Sequence, residues 1–241
     1  GGGAVLGAAH IGVLKALDEF DVTIGKLSGT SIGAFIGALC AFGVGWKEIE
    51  ELAREMNWLN VSGLSISKYG LLSNEKLGKI LTKRLGDVTF SQSPIPLAVV
   101  AADITSGEKV VFTEGSVARA VTASACIPGV FIPVEINGRL LVDGGIVENV
   151  PVTPLEKMGA DFILGVDLTA EHAKKKPENI IEILLRSFDF TLKSATELQT
   201  READAIIKPD LSDFNMVDID QFGDLMDAGY REARRILSKY R

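Results

Sequence analysis

Ser31 stands in Gly29-Thr30-Ser31-Ile32-Gly33, a spacing that presents one serine at the tip of a sharp strand-to-helix turn. Glycines two before and two after it let neighbouring backbone pass close by. The helix that follows turns its free N–H groups and positive dipole end toward any negative charge that develops at the hydroxyl. That is the chemistry of a nucleophilic serine, provided a base takes its proton, although a glycine-rich turn can also hold a serine with no role. Only two histidines exist, His10 within an apolar helical pattern and His172 in a Lys-rich loop. His172 would complete the order serine, acid, histidine. The other candidate base is Asp143, which ends an apolar run and is followed by Gly144 and Gly145. Burial beside a hydroxyl would raise its proton affinity, although Asp-Gly-Gly is also ordinary tight-turn chemistry.

The chain opens with Gly1-Gly2-Gly3-Ala4-Val5-Leu6-Gly7 running into a helical pattern over residues 8–17. Such a loop is an anion cradle, fit for a phosphate or an oxyanion. A Walker A loop is excluded because no Gly-Lys-Ser/Thr follows, and a dinucleotide fingerprint needs a preceding strand that these residues do not contain. Cys40 and Cys126 sit in apolar surroundings and read as buried free thiols. Asp210, Asp213, Asp218, Asp220 and Asp224 lack EF-hand spacing and read as a solvated loop before the last helix.

The elements that must position these residues follow from periodicity. Residues 23–28 read as a short strand before the serine turn, and residues 34–42 as a buried helix after it. An amphipathic helix follows over residues 46–58, then a less regular stretch at 60–72 that reads as a loop packed on the core. Ser73 is placed to cap the next helix. The near-continuous apolar run at 96–103 suits a strand covered on both faces, and Lys109–Phe112 is its neighbour. Residues 116–125 are helical, 139–142 form the strand that delivers Asp143, and 162–167 form another buried strand. A long helix to about residue 204, a short strand at 206–207 and an amphipathic helix over 222–240 close the chain. Strands alternating with helices imply an α/β three-layer α/β/α sandwich with a largely parallel central sheet. At 241 residues, 46% hydrophobic and 24% charged, the chain suits one domain with a large core. A formal charge of −7 provides no global basic field for nucleic acid. No apolar stretch approaches the ~18 residues of a membrane span, and no leader is visible, so the chain reads as soluble and cytoplasmic.

Four stretches occur in order: the Gly-rich loop with residues 8–14, the Ser31 turn, Ala123-Ser124-Ala125-Cys126-Ile127-Pro128-Gly129-Val130-Phe131, and Asp143-Gly144-Gly145 with Asn149-Val150-Pro151. Together, over roughly residues 1–168, they resemble the patatin-like phospholipase family. The resemblance implies a patatin-like acyl hydrolase domain over residues 1–241, with an apolar strand before residue 1 that this sequence lacks. It also implies a Ser-Asp dyad with no catalytic histidine. Ser31 would be the nucleophile on an elbow framed by Gly29 and Gly33, and Asp143 the base on the turn made by Gly144 and Gly145. Backbone N–H groups of Gly2, Gly3 and Ala4 would form the oxyanion hole. The expected substrate is a lipid ester, met in transient contact with a membrane surface. No metal, no organic cofactor and no nucleic acid are required. Two departures stand out: Ala4 falls on the last glycine of the family's loop, and Leu6 on its basic residue. They keep open a catalytically weakened lipid-binding or regulatory module, for which a gain of turnover in Leu6→Arg is the expected check. Acyl transfer through the same acyl-enzyme is the further alternative.

Overall fold

The computed structural model describes residues 1–55, 63–67, 70–169, 176, 180–214 and 220–240. Its main sheet is arranged around strand β4 (Leu97–Asp103), every residue of which is buried. β1 (Leu27–Thr30) runs parallel to β4, with Thr30 opposite Val100. β5 (Lys109–Phe112) is antiparallel to it, pairing from Val99↔Phe112 to Ala102↔Lys109. β8 (Arg139–Asp143) is also antiparallel, with Asp143 opposite Ala101, and β7 (Val134–Ile136) lies on its far side. A strand has only two edges, and β5 occupies one of them along residues that also pair with β1 and β8. Hence β1 and β8 share the other edge and run head to head along it. Their last residues meet at adjacent positions of β4, Val100 and Ala101.

Side-chain alternation along β1 shows the layering. Leu27 packs on the cluster formed by α1 (Ala8–Glu19), α2 (Ile32–Ala41), α3 (Trp46–Glu55), α4 (Glu75–Leu85) and α5 (Val117–Ser124). Ser28 and Thr30 point the other way, donating to the carbonyls of Pro151 (2.5 Å) and Glu148 (2.9 Å). These carbonyls belong to α6 (Gly145–Glu148) and to the segment leading into α7 (Thr153–Lys157). The expected α/β/α sandwich is therefore present. Its sheet is mixed rather than largely parallel, because short connections such as the Asn137-Gly138 turn between β7 and β8 permit only antiparallel pairing. A second parallel pair, β9 (Leu164–Val166) with β10 (Ala205–Ile207), stands apart. Between β1 and β9 lies a cleft of about 650 Å³, lined by His10, Leu14, Ser28, Ile36 and Val150 among others.

Other boundaries differ for physical reasons. β1 begins only at Leu27, after Asp21 adopts a positive φ of 53°. The stretch read as a packed loop contains β2 (Gly63–Ser67) and β3 (Gly70–Ser73), and β3 pairs in parallel with β6 (Gly129–Phe131). That partner is remote in sequence, so local periodicity could not reveal it. Asn74 takes the cap position of α4, while the Ser73 hydroxyl accepts the Glu75 N–H at 3.4 Å. The long helix α8 spans Ile180–Gln199, and α9 spans Phe222–Leu237.

α1, which continues directly from the glycine loop, is held by α9 through an unusually close crossing. A β-carbon on Gly12 would lie 1.9 Å from the Met226 carbonyl oxygen, and one on Gly229 would lie 2.1 Å from that of Ala9. Backbone cannot yield there as a side chain would. Gly12→Ala should therefore destabilise the fold by ~3 kcal/mol, overpacking outweighing the ~1 kcal/mol gain in helix propensity. Urea denaturation checks this, and an unchanged midpoint would contradict the crossing.

Candidate active site

Ser31 follows β1 at the point where the chain must leave the sheet, because β8 blocks its path along β4. Its backbone takes φ 56° and ψ −126°, a conformation that costs a non-glycine residue ~1–3 kcal/mol. The flanking glycines are there for space. A β-carbon on Gly29 would lie 2.6 Å from Ala34 N, and one on Gly33 would lie 2.5 Å from the Gly1 carbonyl oxygen. α2 then starts at Ile32, so Ser31 sits at a helix N-terminus.

Asp143 ends β8 and is 1% exposed. Its N–H donates to the Cys126 carbonyl (2.8 Å), and its Oδ1 accepts the Gly145 N–H (2.8 Å). Oδ2 is buried without a hydrogen-bond partner among the described residues. The Ser31 hydroxyl is near enough to favour the charged carboxylate without completing a bond to Oδ2. Burial dominates and raises the Asp143 pKa from 3.8 to about 6, opposed by the Ser31 hydroxyl and the Gly145 amide. The carboxylate is thus more basic than usual and has one oxygen free to take a proton.

The glycine loop lies against the serine: a β-carbon on Gly2 would be 3.3 Å from Ser31 Cβ. Gly2 itself is not a free donor, since its N–H bonds Asn149 Oδ1 at 3.1 Å. The N–H groups of Gly3 and Ala4 make no hydrogen bond among the described residues. Ala4 adopts the positive φ of 50° that a glycine would take more readily. Leu6 is 0% exposed and packs with Val5, Leu168, Leu211 and Leu225. Its position faces the core, so a cation placed there would be buried rather than presented to a substrate.

Sequence reasoning assigned no role to Asn149, which is fully buried. Besides holding Gly2, its Nδ2 donates to Thr196 Oγ1 (3.1 Å), and its N–H donates to Gln199 Oε1 (3.1 Å). It therefore ties the loop to the end of α8. That helix also roofs the site: Leu185, Phe188, Asp189 and Leu192 line a cavity of about 20 Å³ with Ser31 and Asp143, room for about one water molecule. His10 lies elsewhere, 2.7 Å from the Gly1 carbonyl through Nε2. Burial above all pushes its pKa down to about 3, against the bond to that carbonyl, so it is neutral. His172 lies outside the described residues. Both cysteines are free, and burial first of all pushes the Cys126 thiol up to about 12. Among the described residues no His, Cys, Asp and Glu cluster could hold a metal, and no helix is long and apolar enough to cross a membrane.

A serine on a strained strand-to-helix turn, at the carboxyl end of a sheet strand and backed by a glycine loop, has the backbone geometry of a nucleophile elbow in an α/β fold. The family model for patatin-like phospholipase matches residues 1–156. An uncharacterised NTE family protein of Mycobacterium tuberculosis is 38% identical over 176 residues, covering 72% of this chain and 49% of that protein. Neuropathy target esterase sws of Drosophila melanogaster is 32% identical over 179 residues, 71% of this chain and 13% of its own length. The crystal structure of VipD from Legionella pneumophila superposes with a TM-score of 0.70 at 15% identity, covering 99% of this chain and 66% of that one. The chain belongs to the patatin-like phospholipase family. It spans about half the length of the first of these relatives.

Two outcomes follow from this geometry. Because the folded Asp143 holds its proton from 3.8 up to about 6, its burial costs nothing below 3.8, an increasing amount up to about 6, and a constant amount above. At ~1.4 kcal/mol per pH unit this reaches ~3 kcal/mol. Asp143→Asn should therefore be more stable than the parent at about pH 8 and equal to it at about pH 3, as read by urea midpoints. Leu6→Arg, in contrast, should lose several kcal/mol through an unpaired buried charge. A soluble, cooperative Leu6→Arg variant with raised turnover would show that this side chain faces the site after all.

Proposed function

We propose that the chain hydrolyses carboxylic esters of lipids through a Ser31–Asp143 dyad. The observation that carries this is the head-to-head arrangement of β1 and β8, which sets a hydroxyl beside a buried, unusually basic carboxylate with one unpartnered oxygen. Asp143 Oδ2 takes the Ser31 proton as Oγ bonds the acyl carbon. The carbonyl oxygen becomes an oxyanion, held by the N–H groups of Gly3 and Ala4, each worth ~2.7–4 kcal/mol in such a role. As the tetrahedral intermediate collapses, the ester C–O bond breaks and the leaving alkoxide receives the proton from Asp143. Water, deprotonated by the same carboxylate, then attacks the acyl-enzyme, and Ser31 regains its proton.

Acyl transfer differs only in the final acceptor, an alcohol or thiol replacing water. Hydrolysis is the simpler reading, since the cavity over the dyad has room for about one water molecule. The apolar strand that the resemblance places before residue 1 would fit between β1 and β9, whose facing edges are unpaired among the described residues.

Turnover of p-nitrophenyl esters should fall by at least ~10³-fold in both Ser31→Ala and Asp143→Asn, of the order expected when a member of a catalytic unit is removed. A fluorophosphonate should add to Ser31, as mapped by mass spectrometry. In the parent, kcat/KM should rise through about pH 6 as Asp143 ionises. Full turnover in either variant would overturn the dyad.

A further inference from the structure

Ser124 closes α5 and is completely buried, and the reaction just described gives it no part. Its hydroxyl donates to the Val100 carbonyl at 2.6 Å and accepts the Ser31 N–H at 2.9 Å. Its own carbonyl accepts the Gly144 N–H at 3.4 Å. Val100 is the residue of β4 opposite Thr30, and a β-carbon on Gly144 would come within 2.2 Å of the Val100 carbonyl oxygen. One residue thus touches the turn that carries the serine, the turn that carries the aspartate, and the strand on which both are aligned.

Resting on the dyad reading, we propose that Ser124 is a positioning residue for the reaction, one that holds Ser31 at working distance from Asp143. The nucleophile's backbone lies in a sparsely populated conformation, and such a residue stays there only where its surroundings over-determine it. Among the described residues the Ser31 N–H has Ser124 Oγ as its partner, and that oxygen cannot drift because its proton is committed to β4. Without the hydroxyl, Ser31 is free to relax toward negative φ, which swings Oγ away from the carboxylate. The Ser31 N–H, being engaged, is also excluded from the oxyanion hole.

Ser124→Ala tests this, with Ser124→Cys as a variant of nearly the same volume and weaker hydrogen bonding. Val121→Ala, a core truncation on the same helix, controls for lost stability. At a temperature where all remain folded, Ser124→Ala should lower kcat on a p-nitrophenyl ester ~100-fold, the scale of a ~1 Å misplacement, with KM within about threefold. Ser124→Cys should fall between it and the parent. Because the Ser31 hydroxyl lowers the Asp143 pKa, its retreat should move the pH–rate midpoint above the parent's value, and fluorophosphonate labelling of Ser31 should slow in step with kcat. Val121→Ala should shift neither quantity. If Ser124→Ala or Ser124→Cys keeps both the parent's kcat and its pH midpoint, or loses no more kcat than an equally destabilised Val121→Ala, the positioning role is wrong. Full activity in Ser31→Ala or Asp143→Asn would instead overturn the dyad itself, and the role of Ser124 with it.

Discussion

The collision of β1 with β8 on one edge of β4 is the constraint from which the rest of this molecule follows. Two strands that approach head to head cannot both continue, so each must leave the sheet within a residue or two of the other. β1 leaves through a strained elbow into α2, and β8 leaves through Gly144-Gly145 into α6. The residues at the two exits are Ser31 and Asp143. Their proximity is therefore a property of strand pairing, secured by backbone hydrogen bonds in a fully buried strand, and does not depend on two flexible side chains finding each other.

Burial then does the electrostatic tuning. Among the described residues the titratable group that faces Ser31 is a carboxylate, and an ordinary one would be too weak to compete for a serine proton near neutrality. Enclosure beneath α8, with one oxygen left unpartnered, raises its basicity at a cost in stability above its pKa. The same enclosure leaves only a water-sized volume, closed by Leu185, Phe188 and Leu192, over Ser31.

Much of this was legible beforehand. Gly29-Thr30-Ser31-Ile32-Gly33 announced its turn because both the strain at Ser31 and the close packing at the two glycines are local requirements, written in adjacent residues. Asp143-Gly144-Gly145 was weaker alone, since its partner is set by the pairing of β8 with β4, a contact between segments far apart in sequence. For the same reason the β3–β6 pairing and the antiparallel direction of β8 escaped periodicity. Leu6 stands at the family's basic position only by its place along the sequence. The 3-10 turn at Ala4–Gly7 rotates that side chain into the core beside Leu168, which counting along the sequence cannot show. Asn149 and Ser124 stand in the stretches that carry the resemblance, but their parts cannot be read there: each acts through hydrogen bonds to residues distant in the chain.

The use of β4 as a common rule has a consequence for how such chains can diverge. Ser31 and Asp143 are both referenced to neighbouring rungs of one buried strand, so the length of chain between them does not enter their separation. Loops, hairpins or whole subdomains can be inserted between α2 and β4, or between β5 and β8, without changing the distance across which a proton would move. A single-residue insertion within β4 at Val100–Ala101 has the opposite character. It would part the two exits by one rung and reverse the face of every residue beyond it, leaving a folded sandwich whose serine and aspartate no longer meet.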